Sequence, residues 1–187
     1  MALTTAEKMI QTKRLNTLLK TVIQDALVAG LPVNVKDIDP CIKINNRTTS
    51  IGLCKYSEKK NEYPWTIFFS SYFFSIPDSK IKNTLMHELI HTLPNCFNHQ
   101  TDFKHYMYRV NAKTNLSMVY HIGVKNNDEE ISKLCNKKRE EKFGINNMVT
   151  LTCECGCEIR IKKTRKAAKH PEQYKCKKHG LTLKLKK

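Results

Sequence analysis

Residues 4–29 place Leu15, Leu18, Leu19, Val22, Ile23, Ala26 and Leu27 on one broad face at helical spacing. Gly30 and Pro32 predict where that helix stops. Residues 33–51 hold short β-prone pieces, among them Cys41-Ile42-Lys43-Ile44, with a turn at Asn45-Asn46. Residues 65–74 are aromatic and strongly β-prone, which predicts a buried strand. Pro77 announces a second helix over residues 79–93. There Ile81, Leu85, Leu89 and Leu93 recur every fourth position, with Met86 and Ile90 beside them. Pro94-Asn95 ends it. A third helix is predicted from about residue 101 to 115, with Phe103, Met107 and Val110 on one side. Residues 128–143 read as a charged connector helix, and Gly144-Ile145-Asn146-Asn147 as a boundary. Beyond it lie short alternating strands, cysteines and basic residues.

This order of elements predicts an α+β fold. A domain over residues 1–145 carries a small sheet, the N-terminal helix and the helix at 79–93. A small β domain follows over residues 146–187. A chain of 187 residues accommodates one ordinary domain and one appendage. No apolar run is long enough to span a membrane, so no membrane partner is expected. Residues 1–10 lack the features of a secretory leader, which points to a cytoplasmic protein.

Charge changes the picture. The net charge is +16, and residues 148–187 carry 12 basic against 3 acidic side chains. An excess focused on one segment suits a polyanion, most often nucleic acid. Four of the eight cysteines, Cys153, Cys155, Cys157 and Cys176, fall in this segment as well. In a reducing compartment such crowding reads as metal ligation. Cys41, Cys54, Cys96 and Cys135 are scattered and read as ordinary thiols.

The chemistry concentrates at His87-Glu88-Leu89-Ile90-His91. Histidines at i and i+4 lie one turn apart on one helix face, so both imidazoles can reach one metal ion. Glu88 is offset by about 100° and can reach a water beside that metal without ligating it. This is the H-E-x-x-H arrangement of a zinc hydrolase, with His87 and His91 as ligands and Glu88 as general base. Such a site needs a third protein ligand. His99 is the favoured candidate, because a short turn can fold it back beside His91. His105 and His121 are less well placed, and Asp102 or Asp128 are minor alternatives.

The stretch Asn83-Thr84-Leu85-Met86-His87-Glu88-Leu89-Ile90-His91 resembles the core of the SprT-like metallopeptidases, which include bacterial SprT and eukaryotic Spartan. The resemblance implies a zincin-like domain whose third ligand is a histidine opening a second helix, in a pattern like H-G-x-x-F. His99-Gln100-Thr101-Asp102-Phe103 matches its His and Phe but has Gln for Gly, and the interval from His91 to His99 is short for Spartan-type members. Residues 47–54 are similar to the segment before the family's active-site strand, and Ile67-Phe68-Phe69-Ser70 resembles that strand, edging the cleft. Tyr106 to Asn111 fits the helix after the third ligand.

The C-terminal cysteines resemble the zinc ribbon of bacterial SprT-type proteins. That pattern implies a structural zinc on Cys153, Cys155, Cys176 and His179, with Cys157 spare. Read from the residues alone, Cys155 or Cys157 serves equally, because Gly156 provides a turn between them. Between the two ligand pairs, Arg160, Lys162, Lys163, Arg165, Lys166 and Lys169 form a basic arm, expected on a hairpin and suited to phosphate contacts without sequence readout. Lys175, Lys177 and Lys178 add to it. Tyr174 alone supports base stacking only weakly.

The expectation is therefore a zinc peptidase with one catalytic and one structural zinc. Its partners would be a protein substrate and single- or double-stranded DNA, which would make it nucleoid-associated. By resemblance to Spartan-type members, it would degrade proteins crosslinked to DNA. The competing reading is a non-proteolytic zinc protein that binds nucleic acid through its ribbon.

Overall fold

The computed structural model describes residues 4–47, 50–58, 63–118, 133, 137, 140–176 and 179–186. Two compact units are present, Met1–Ser132 and Lys133–Lys187. Among the described residues no helix is long and apolar enough to cross a membrane.

In the first unit, α1 (Thr5–Val28) starts at a capping box, with Thr4 and Glu7 satisfying each other's backbone amides. It stops where Gly30 adopts φ +73°, the left-handed geometry a Schellman turn requires. There Leu31 N–H reaches Ala26 O at 3.0 Å and Gly30 N–H reaches Leu27 O at 2.9 Å. Of the face predicted from the sequence, Leu15, Leu18, Leu19, Val22, Ile23 and Ala26 lie inside, whereas Leu27, near the helix end, is exposed. It packs on α2 (Asp78–Ile90) and, to a lesser extent, on α3 (Thr101–Lys113).

Three short strands make one sheet, β1 (Lys43–Asn45), β2 (Gly52–Tyr56) and β3 (Trp65–Ser70), in the order β1-β3-β2. β1 runs parallel to β3 and β2 antiparallel to it. The strand expected to edge the cleft, Ile67-Phe68-Phe69-Ser70, is therefore the middle one. β1 and β2 are the edge strands, and β2, the one packed against α2, overlaps the segment at residues 47–54 expected to precede the active-site strand. A glycine, a cysteine and a lysine within five residues hide its strand character.

α2 is buried almost all round from Thr84 to Ile90, including the polar Thr84, His87 and Glu88. Helices, sheet and loop enclose it, so the helix carrying the motif is the centre of the unit. Arg14 of α1 anchors the start of α2. Its guanidinium donates to Phe74 O at 2.8 Å and to Asp78 Oδ1 at 2.9 Å, fixing where α2 begins.

The second unit is a three-stranded antiparallel sheet in which β4 (Met148–Thr152) lies between β5 (Glu158–Lys162) and β6 (Lys184–Leu185). A one-turn helix at Lys166–Lys169 follows β5. Its small core is Leu151, Leu183, Cys153 and Cys176, with Ile161 and Tyr174 packed on it. Sequence placed the domain boundary at residue 145. Glu140 pairs with Arg160, and Lys162 stands 3.5 Å over the Phe143 ring, so residues 140–143 belong with this second unit. Most of the connector helix expected at residues 128–143 lies outside the described residues.

Candidate metal centre

His87 and His91 occupy the last turn of α2, with His91 as its C-cap residue. The chain then turns at Asn95, whose φ of 59° is one that asparagine tolerates. This brings His99 back beside the helix end, just before α3 begins at Thr101. The three Nε2 atoms converge: His99 to His87 is 2.8 Å and His99 to His91 is 3.2 Å. Nitrogens on a tetrahedral zinc with bonds near 2.0–2.1 Å stand about 3.3 Å apart, so the donor set fits zinc.

Two neighbours hold the imidazoles. Phe103, fully buried on α3, has its ring centroid 4.7–4.9 Å from all three imidazole centroids. His91 Nδ1 lies 2.6 Å from Cys96 O. Donation from Nδ1–H to that carbonyl leaves Nε2 as the lone-pair donor. Burial also holds the His91 pKa below its ordinary value, which favours the neutral ligand form.

Glu88 is 8% exposed. Burial pushes its pKa up to about 7, while an amide hydrogen bond from Cys54 opposes the rise. The strand geometry explains that bond. Ile51 O accepts from Ser70 N–H and Ser57 N–H donates to Pro64 O, so the odd positions of β2 turn toward β3. Gly52, Cys54 and Tyr56 then turn their backbone groups to the outer edge. Glu88 thus meets the open edge of β2. A Cβ on Gly52 would sit 2.7 Å from Glu88 Cγ and Oε1 and 2.8 Å from Thr84 Cγ2.

Residues 31–126 match the model of the SprT-like family. The chain belongs to the SprT-like family. No curated protein matches it. The SprT-like match takes in α2, His99 and α3, and ends before the C-terminal cysteines. Of the alternative ligands weighed from the sequence, His105 and Asp102 are exposed on α3 and stand outside the histidine group. His121 and Asp128 lie outside the described residues. Gly52, the Cys54 amide and the Cys96 carbonyl belong to the site without any motif that marks them. A glycine inside a strand was the available signal for the first. Backbone donors and acceptors leave no signature in residue type.

A second group of donors lies in the ribbon of this SprT-like chain. Cys153, Cys155, Cys157 and Cys176 bring their sulfurs within 4.8 Å of one another. Gly156, at φ +80°, lets its N–H turn back to Cys153 O at 2.9 Å, forming the knuckle. Cys155 Sγ and Cys176 Sγ are 3.8 Å apart, close to the spacing expected of sulfurs on a tetrahedral zinc with bonds near 2.3 Å. His179, expected as a ligand, is exposed and stands outside this group, whereas Cys157, the alternative, lies within it.

The basic arm begins on a hairpin, with Arg160 and Lys162 on β5 paired to β4 across the cysteine knuckle, and continues through a turn into the one-turn helix at Lys166–Lys169. Arg160 and Lys162 are engaged with Glu140 and Phe143. Lys163, Arg165, Lys166 and Lys169 are exposed. Lys177 and Lys178 lie outside the described residues.

Proposed function

We propose that this chain is a zinc-dependent peptidase, with His87, His91 and His99 as ligands and Glu88 as general base. The convergence of three imidazole Nε2 atoms beside a buried carboxylate carries this reading. Zinc supplies a Lewis acid that polarises a carbonyl and makes water acidic near neutral pH. Glu88, with a pKa near 7, accepts a proton from the attacking water and returns it to the leaving amine. The Cys54 amide holds the carboxylate in place for both transfers. The outer edge of β2 supports a peptide as substrate, because its outward backbone groups, apart from the Cys54 amide that Glu88 engages, can pair with an extended chain.

The exposed residues Lys163, Arg165, Lys166 and Lys169 support sequence-independent binding of DNA by the second unit, with the first unit as the peptidase domain. DNA-bound or DNA-crosslinked proteins would then be the substrates within reach. A purely nucleic-acid-binding role leaves the buried Glu88 without a purpose, and its burial is costly. The deciding experiment compares wild type with Glu88→Gln on a DNA-bound protein, with and without DNA. Wild-type cleavage that Glu88→Gln abolishes while zinc is retained supports the proposal. Equal cleavage by both overturns it.

A further inference from the structure

The sheet face that meets α2 continues past the end of that helix. Gly52, Cys54 and Tyr56 share it with their cross-strand partners Phe69, Ile67 and Trp65. The first two pairs lie against α2, where Ile67 and Phe69 are fully buried. The third pair lies farther along, level with the loop that follows His91. There Tyr56 and Trp65 have ring centroids 4.9 Å apart, and Trp65 and Phe97 5.7 Å. Phe97 belongs to the loop between His91 and His99, next to the Cys96 carbonyl that orients His91. Yet Tyr56 is 52% exposed and Phe97 65% exposed. Three adjoining aromatics beside a metal centre, two of them largely in water, form a shelf.

The edge of β2 gives the shelf its occupant. Backbone groups of Gly52, Cys54 and Tyr56 face outward, and the Cys54 amide marks the position of Glu88. Tyr56 lies two residues, about 7 Å, along the same edge. A chain paired with that edge and attacked beside Glu88 passes over the shelf within about two residues of its scissile bond. Alternate side chains of a strand fall on one face, so one of them points at the rings.

We propose that Tyr56, Trp65 and Phe97 form a specificity subsite that takes a large apolar or aromatic side chain of an extended peptide, about two residues from the bond cut. This rests on the peptidase reading above. An apolar ring laid on the shelf removes both its own surface and that of Phe97 from water. A charged or small side chain does neither. The subsite thus confers preference at one position and leaves the others to backbone pairing.

The test uses zinc-loaded full-length protein and a set of quenched fluorescent peptides in which one Phe is moved through an Ala/Ser sequence. At one position, Phe raises kcat/KM about tenfold over Ala. Phe97→Ala and Tyr56→Ala each reduce that ratio to about twofold or less. An unchanged ratio, with both peptides cut more slowly, makes the residues merely structural and overturns the proposal. Trp65 is the sole tryptophan, so its emission reports on the shelf independently of cleavage. In zinc-loaded Glu88→Gln, the preferred Phe peptide changes that emission at lower concentration than its Ala counterpart. A response to a single-stranded oligonucleotide, but to neither peptide, assigns the shelf to nucleobases and overturns the proposal. If wild type cuts no peptide, the peptidase reading fails, and the emission titration still decides whether the shelf takes apolar peptide side chains.

Discussion

Gly52 and Glu88 touch across the gap between β2 and α2, and a methyl group at position 52 would meet the Glu88 side chain at 2.7 Å. The strand thereby sets where the carboxylate can lie. Gly52→Ala must move the strand or displace Glu88. We expect zinc content to be kept and kcat to fall at least about tenfold, with roughly 1–3 kcal/mol of stability lost. Metal analysis, steady-state kinetics and denaturant unfolding check this. In a Glu88→Ala background part of the clash is gone, so the stability cost of Gly52→Ala becomes smaller.

Glu88→Gln reads out the buried charge. The folded-state pKa of Glu88 is raised from 4.5 to about 7, so folding favours its protonated form. That contribution is fully present below pH 4.5 and is lost as pH rises through 7. Gln stays neutral throughout. Metal-free Glu88→Gln is therefore more stable than metal-free wild type at pH 8, by on the order of 3 kcal/mol, with little difference at about pH 4. His91, whose pKa is lowered, has the opposite pH dependence, but both proteins carry it. Chelator-treated samples unfolded at the two pH values provide the measurement.

His99→Ala and His105→Ala separate ligand from bystander. The first removes one of three converging nitrogens, and zinc affinity falls by more than the roughly 10–100-fold typical of a lost outer partner. The second changes an exposed side chain and leaves zinc affinity as in wild type. Competition with a chromophoric chelator measures both.

Cys157→Ser and His179→Ala make the same comparison in the ribbon. After reduction, Cys157→Ser binds one zinc fewer per chain than wild type, while His179→Ala binds the same amount.

Replacing Lys163, Arg165, Lys166 and Lys169 together with Ala weakens DNA binding and flattens its salt dependence. The slope falls by up to about one for each phosphate the variant no longer neutralises. Replacing Arg160 and Lys162 changes the slope less, because Glu140 and Phe143 already engage them. Titrations at several salt concentrations separate the two sets.

The helices and the histidine triad were legible in the sequence because their signals are local. A four-residue apolar repeat predicts α2, and i, i+4 histidines on that helix must converge. His99 was reachable because only a short turn separates it from His91. β2 was not legible, since five mixed residues show no alternation, and its strand state depends on pairing with β3. The fourth ribbon thiol was ambiguous for a similar reason. Cys155 and Cys157 flank one glycine, and only the fold of the knuckle brings both to Cys176. The shelf combines residues from two strands and a loop, which no single window of sequence contains.

The placement of Glu88 beside an unpaired strand edge has a kinetic consequence. A folded domain keeps its own strands paired, so its chain becomes available only where it has melted locally. For the proposed peptidase, turnover of a compact target should follow the target's own opening equilibrium first, with preference at the aromatic shelf acting only on the segments that open. On the proposed function, a DNA-bound protein that is partly unravelled is cut faster than its intact neighbours.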